Sequence, residues 1–130
     1  MIQLSKGSKY IIVVFSLAVA ALHFIIGPHY TGCCKVFFTS YLTDIVLPMN
    51  VYLLFQVALR PKLSLKRSVT IGYLATFLIG LSVEMSQYFG IPIFGSTYDP
   101  LDIFMYFLGA TAGVIFDLLI IQTLERKTNK

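Results

Sequence analysis

The chain has 130 residues, of which 57% are hydrophobic and only 12% are charged, and its mean hydropathy is +0.81. Because soluble domains are usually about 25% charged, this composition predicts a single domain that lies in a membrane. The net charge of +4 does not come from a basic stripe with interleaved aromatic residues, which excludes a typical nucleic-acid-binding protein.

Four apolar stretches follow one another along the chain, at residues 10–26, 41–59, 69–91 and 101–121. Each is long enough to cross a bilayer, which takes about 17 to 25 helical residues. None of them alternates between polar and apolar residues as a strand does. We therefore predict an all-α integral membrane four-helix bundle, in which short connections make consecutive helices antiparallel neighbours.

The first stretch also has features of a cleaved signal peptide. Lys6 and Lys9 precede it, and the small residues Ala18 and Ala20 resemble a cleavage site. The apolar run nevertheless continues past that site to Ile26. We therefore expect an uncleaved membrane anchor.

Basic residues lie almost entirely on one side of the predicted topology. That side carries nine of the ten, namely Lys6, Lys9, Arg60, Lys62, Lys66, Arg67, Arg126, Lys127 and Lys130. The positive-inside rule then predicts that both termini are cytoplasmic. The opposite side contains only Lys35 among the basic residues, and beside it the adjacent Cys33 and Cys34. Neighbouring cysteines rarely form a disulfide, so we expect two free thiols.

Four of the six acidic residues approach the predicted outer side. Asp44 is at the outer end of the second helix, and Asp99 and Asp102 are at the start of the fourth. Glu84 lies in the third helix, about 10 Å below its outer end at 1.5 Å per residue. An ionised carboxylate within a bilayer costs about 2.5–3.5 kcal/mol on insertion scales. Glu84 is therefore predicted to face the interior of the bundle and to have a partner there.

Helical spacing places Gly80, Glu84, Gln87 and Tyr88 on one face of the third helix. We predict that this face is a polar seam that points into the bundle, with Gly80 allowing another helix to come close. Two uses of the seam remain open at this stage. Glu84 either makes a structural hydrogen bond between helices, or it contacts a ligand or an ion.

The stretch from Asp99 to Asp102 has the composition of a helix N-terminus. Asp99 is a preferred N-cap residue, Pro100 suits the first helical position, and an acid at Asp102 complements the positive helix end. A compact polar loop, residues 95–98 including Tyr98, precedes them. Capping and ligand binding are compatible uses of both carboxylates.

Other polar and small residues predict contacts between helices. Gly109 and Gly113 have the spacing of a close helix contact, either within the chain or in a homodimer. Asp117, near the inner interface, is expected to pair with Arg126 or with the basic loop 60–67. Asn50 is expected to hydrogen-bond across helices.

Two further residues predict details of the second and third helices. Pro48 lies inside the second apolar stretch, where it removes one backbone hydrogen bond. Ser68 stands just before the third stretch and is predicted to be its N-cap.

Three pairs of residues match the spacing seen in a known family: Glu84 with Gln87, Asp99 with Asp102, and Gly109 with Gly113. Over residues 80–118 this pattern resembles the VanZ-like family of small bacterial integral membrane proteins. The chain is similar to a divergent member, because Tyr106 stands where an asparagine is common and residues 95–98 lack the usual arginine.

The resemblance implies a role at the outer face of the bacterial cytoplasmic (inner) membrane. It implies contact with membrane lipid and with lipid-linked cell-wall intermediates or amphipathic molecules, in the cell envelope or in antibiotic tolerance. It implies no cofactor and no established reaction.

Three functions follow as hypotheses. The first is a non-catalytic protein whose outer acidic cleft binds a cationic, amphipathic or lipid-linked ligand, with Glu84 at its floor and Asp44, Asp99 and Asp102 at its rim. The second is a membrane enzyme that acts on a lipid head group with Glu84 as general acid or base. The third is a small ion-coupled transporter. We favour the first, since the sequence contains no nucleophile–base pair, no metal motif and no phosphate-binding loop.

Overall fold

The computed structural model describes residues 4–93 and 97–128, and every regular element in this part of the chain is helical. Four helices are long and apolar enough to cross a membrane: α1 Lys6–His29, α2 Phe37–Leu59, α3 Leu65–Tyr88 and α4 Pro100–Lys127. This confirms the predicted all-α chain with four membrane-span candidates. Their outward faces carry large apolar side chains, such as Leu17 and Leu119, both 66% exposed, as expected for helices that contact lipid.

The helices differ from the predicted stretches mainly at their polar ends. Helix α3 begins after Ser64, which has an extended backbone, so the prediction that Ser68 is the N-cap is wrong. Ser68 lies in the first turn and donates a hydrogen bond to the carbonyl of Leu65 at 2.9 Å. Hydropathy marks the limit of the apolar segment, whereas the helix begins earlier and includes Lys66 and Arg67.

Helix α4 begins where its sequence predicts, with Asp99 as the N-cap and Pro100 as the first helical residue. The side chain of Asp99 accepts a hydrogen bond from the backbone N–H of Leu101 at 2.9 Å. At the other end of the preceding connection, α3 ends at Tyr88 and Gly90 has a φ of +78°. This left-handed conformation suits glycine and turns the chain away from α3.

Three helices contain π-helical segments that the sequence did not predict, at Leu22–Ile26, Phe37–Tyr41 and Asp117–Ile121. A π-helical turn widens the helix, and such turns are often found at functional sites. Pro48 lies within α2, as predicted.

Helix α2 is central to the packing. It contacts α1, α3 and α4, and α4 also packs against α3. The buried core includes Ile12, Tyr52, Leu53 and Ile121.

The small-residue face of α4 packs against α2 within the chain. A Cβ on Gly109 would overlap the backbone carbonyl of Ile45, and a Cβ on Gly113 would lie 2.8 Å from the ring of Tyr52. Both glycines are buried. This is the intramolecular use expected from the spacing, and a homodimer through Gly109 and Gly113 would need this face to be free.

Candidate functional site

Glu84 is fully buried and receives its hydrogen bonds from the start of α4. The hydroxyl of Tyr106 donates to Oε1 at 3.0 Å, and the backbone N–H of Asp99 donates to Oε2 at 3.4 Å. The predicted inward orientation of Glu84 is thus confirmed. Gly80 makes room for this arrangement, because a Cβ there would lie 2.7 Å from the ring of Tyr106.

Tyr106 is the residue of this site that the sequence analysis missed. It occupies the position where the VanZ-like pattern commonly has an asparagine, so the pattern assigns it no role. A signal was present nonetheless. Tyr106 follows Asp102 by four residues and precedes Gly109 by three, so all three share the face of α4 that points into the bundle.

Asp44 on α2 and Asp102 on α4 lie at the same end of the bundle, where both line one polar cavity together with Asp99. Glu84 lies beside them, since it accepts a hydrogen bond from the backbone N–H of Asp99. We call Asp44, Glu84, Asp99 and Asp102 the acidic cluster.

The acidic cluster has no cationic partner in the part of the chain that the structure describes. The salt bridge found in this part joins Arg60 to Asp117, near the opposite ends of α2 and α4. Like charges without a cation raise the free energy of the folded state when all of them are ionised. The cluster is therefore suited to binding a proton or a cation.

A polar cavity of about 370 Å³ lies over the cluster. Among the residues that line it are His23, Gln87, Asp44, Asp99, Asp102 and Tyr106. Four predicted site residues are thus brought together here: Asp44, Gln87, Asp99 and Asp102.

Glu84 does not line this cavity, so the prediction that it forms the floor of the cleft is wrong. Tyr106 lines the cavity instead, and its hydroxyl is bonded to Glu84. The bulky ring packed against Gly80 separates Glu84 from the open space. A ligand in the cavity would therefore reach Glu84 through its two hydrogen-bond donors, the hydroxyl of Tyr106 and the backbone N–H of Asp99.

The predicted aromatic residues lie outside the cavity. Tyr88 is 63% exposed and Tyr98 is 39% exposed, and their rings meet edge to face at 5.4 Å. The prediction that Tyr88 faces inward is wrong, since Tyr88 is the last residue of α3 and its side chain is largely exposed. The pair instead joins the end of α3 to the loop before α4. Of the preceding loop, residues 95 and 96 lie outside the described residues.

A second cavity, of about 350 Å³ and mainly apolar, lies between α1, α2 and α3, and Tyr106 of α4 also lines it. Its lining includes Val19, Leu47, Ile79 and Val83, together with the polar residues Asn50 and Thr76. The two cavities adjoin, since His23, Thr43, Asp44 and Tyr106 line both of them. A polar compartment therefore lies next to an apolar one.

The opposite end of the bundle has a different arrangement of buried acids. Asp117 is fully buried, and Arg60 Nη2 donates to both of its carboxylate oxygens at 2.6 Å. The hydroxyl of Tyr52 donates to Oδ2 of Asp117 at 2.9 Å. The predicted pairing with the basic loop is thus confirmed, through Arg60 and not Arg126. We call Tyr52, Arg60 and Asp117 the Arg60 cluster.

Several simpler expectations can be compared with the structure. Ser16 Oγ donates to Asn50 Oδ1 at 2.6 Å, which confirms the predicted bond from Asn50 across helices. Cys33 and Cys34 are exposed and form no disulfide with each other. The described residues contain no group of three or more His, Cys, Asp or Glu that could hold a metal ion.

Comparison of the chain with profiles of known protein families, with characterised proteins and with solved structures gave no match. The function is therefore inferred from the geometry of the acidic cluster and the two adjoining cavities.

Proposed function

We propose that this is a non-catalytic membrane protein that binds a cationic amphiphile, lipid-linked or free, and that it is a divergent VanZ-like protein. The observation that carries the proposal is the junction of the two cavities at Asp44 and Tyr106. One compartment offers carboxyl groups and the other offers apolar walls. A ligand with a charged head and an apolar chain has the same two parts.

The chemistry of the head group follows from the charge of the polar cavity. Asp44, Asp99 and Asp102 line it, and no salt bridge neutralises them among the described residues. A cationic group placed there would offset their mutual repulsion, whereas an anionic head group would add to it. We therefore propose a cationic head, such as an ammonium group.

The chain of the ligand would lie between α1 and α3. These two helices have few direct contacts, since α1 packs mainly against α2. Val19 on α1 and Ile79 on α3 line the space between them. An apolar chain there would bury surface that otherwise faces lipid, and it would leave the head group beside Asp44.

The topology belongs to the same proposal. We propose that consecutive helices run antiparallel in a bacterial cytoplasmic membrane, with both termini in the cytoplasm and the acidic cluster toward the outer face. The basic-residue distribution supports this orientation. Cys33 and Cys34 are the only cysteines of the chain, and they are exposed, so they report the side of the α1–α2 loop without mutagenesis.

Labelling of intact cells with a membrane-impermeant maleimide tests this orientation. We expect the wild-type chain to be labelled and a Cys33→Ser/Cys34→Ser variant to stay unlabelled. Labelling of the wild type only after the membrane is permeabilised would place the loop and the acidic cluster on the cytoplasmic side.

Binding of hexadecyltrimethylammonium to the protein in lipid nanodiscs tests the ligand class, with hexadecyl sulfate as the anionic counterpart. We expect the wild type to prefer the cation, and Asp44→Asn/Asp102→Asn to bind it about tenfold more weakly, which corresponds to about 1.4 kcal/mol. Lys66→Gln, an exposed charge change outside both cavities, is the control. Equal affinity of the two probes, or no loss in the double variant, would contradict the proposal.

One observation favours a second function, that of a membrane enzyme acting on a lipid head group. Asp44 and Asp102 both line the polar cavity, and two neighbouring carboxyl groups can serve as a general acid–base pair. Mass spectrometry of nanodisc lipids after incubation with the protein distinguishes the two functions. A modified lipid that accumulates with the wild type but not with Asp44→Asn would establish the enzyme.

A further inference from the structure

Thr76 on α3 carries a buried hydroxyl with no hydrogen-bond partner among the described residues. The residue is 2% exposed and lines the apolar cavity. In a membrane helix such a hydroxyl usually bonds to the carbonyl four residues earlier. Five other hydroxyl side chains among the described residues do so: Thr39, Ser82, Ser86, Thr111 and Thr123.

The unpaired hydroxyl destabilises the free protein. A buried polar group without a hydrogen-bond partner lowers the stability of the folded state. An apolar side chain at the same site would not have this cost. Thr76 nevertheless does not use the carbonyl of Gly72, four residues earlier. An unpaired hydroxyl beside a cavity can be satisfied by a hydrogen bond with a ligand that occupies the cavity.

Two more polar side chains line the cavity from the neighbouring helices. Asn50 on α2 is 8% exposed, and it accepts the 2.6 Å hydrogen bond from Ser16 on α1. Along its helix Asn50 is six residues from Asp44, or about 9 Å. Thr76 is eight residues from Glu84, or about 12 Å. A polar position therefore exists in the apolar cavity at a defined distance from the acidic cluster.

We propose that Thr76, Asn50 and Ser16 form a second binding subsite, which takes a neutral hydrogen-bonding linkage, an amide or an ester, within the chain of the bound amphiphile. The inference rests on the proposed function, because it requires the cationic head to lie at Asp44. The linkage carbonyl accepts a hydrogen bond from the hydroxyl of Thr76. The subsite thereby distinguishes an amphiphile with a linkage from a plain hydrocarbon chain of the same length.

The test compares two probes with the same trimethylammonium head and the same chain length. One is decanoylaminohexyl-trimethylammonium, whose amide lies about 9 Å from the charge, at the depth of Asn50. The other is heptadecyltrimethylammonium, which has no linkage. Affinities are measured by calorimetry in nanodiscs, with empty nanodiscs subtracted, for the wild type, Thr76→Val and Thr76→Ser.

We expect the wild type to bind the amide probe about tenfold more tightly than the hydrocarbon probe, the effect of one buried hydrogen bond. Thr76→Val should lose this preference and bind the hydrocarbon probe at least as tightly as the wild type does, because a methyl group replaces the hydroxyl in the apolar cavity. Thr76→Ser, which keeps the hydroxyl, should retain it. Thr76→Val should also fold with at least the wild-type stability, because it removes an unpaired polar group.

Three results would overturn the inference, and the last of them is distinguishable from the first two. If both probes bind the wild type equally, the subsite is wrong and the proposed function survives. The same holds if Thr76→Val keeps the preference for the amide, for example because a water molecule pairs with Thr76 in every complex. If neither probe binds the wild type, the proposed function fails and the subsite fails with it.

Discussion

The two ends of the helical bundle bury a tyrosine–carboxyl pair in different settings. In the Arg60 cluster, Tyr52 donates to Asp117 and Arg60 neutralises its charge. At the other end, Tyr106 donates to Glu84, and the neighbouring groups are further carboxyls. A buried carboxylate with a cation forms a closed structural unit, whereas one surrounded by acids needs a proton or an external cation. The comparison separates the part of the protein that stabilises the fold from the part that is suited to binding.

Among the variants that test this comparison, Arg60→Met is expected to have one of the largest effects on the free energy of unfolding. The substitution keeps a long apolar side chain but leaves Asp117 buried without a cation. Removing one partner of a buried pair typically costs about 3–5 kcal/mol. We expect a loss of this size in the free energy of unfolding, measured in detergent micelles, and a lower folded yield in membranes.

A double variant checks the cause of that loss. Arg60→Met/Asp117→Leu removes both charges and should recover most of the stability, because an apolar pair often replaces a buried ion pair without a net cost. Lys62→Met, an exposed charge change in the same loop, is the control. If the double variant is no more stable than Arg60→Met, the charge of Asp117 is not the reason for the loss.

A matched pair of tyrosine variants gives a smaller effect and compares the two ends directly. Tyr52→Phe removes the 2.9 Å bond to a charged Asp117, so we expect a loss of about 1.5–3 kcal/mol. Tyr106→Phe removes the 3.0 Å bond to Glu84, and we expect a smaller loss, about 0.5–1.5 kcal/mol, because Glu84 keeps the backbone N–H of Asp99 as a donor. The free energies of unfolding of the two variants, measured under the same conditions, test this difference. A larger loss for Tyr106→Phe would mean that the hydrogen bond to Glu84 stabilises the fold more than the one to Asp117.

The helices and the acidic residues at one end of the bundle follow from the sequence because they depend on composition and local spacing. Apolar length predicted all four helices, and the Asp99–Pro100 pair predicted the start of α4. The ends of the helices were less predictable. Lys66 and Arg67 are poor residues for a bilayer but good ones for a helix, so hydropathy placed the start of α3 too late.

The contacts within the site could be predicted only in part, because they depend on how helices rotate against each other. Glu84 was expected to face inward, and it does. Its shielding by Tyr106 requires the ring to fit against Gly80 of another helix, which spacing within one helix does not reveal. The cavity beside Thr76 likewise arises from four helices together. No segment of the sequence encodes it alone.

The smallest expected change in stability, and the one that best tests the comparison, is that of Asp44→Asn. The substitution keeps the size of the side chain and removes one charge from a cluster without a cation, so relief of repulsion offsets what is lost. We expect the free energy of unfolding to change by no more than about 0.5 kcal/mol, or to rise. Asp117→Asn, the same chemical change in the Arg60 cluster, should cost about 3–5 kcal/mol because it leaves Arg60 buried without its partner. Comparable losses in the two variants would mean that the acidic cluster is a structural network like the other, and the case for a bound cation would lose its physical basis.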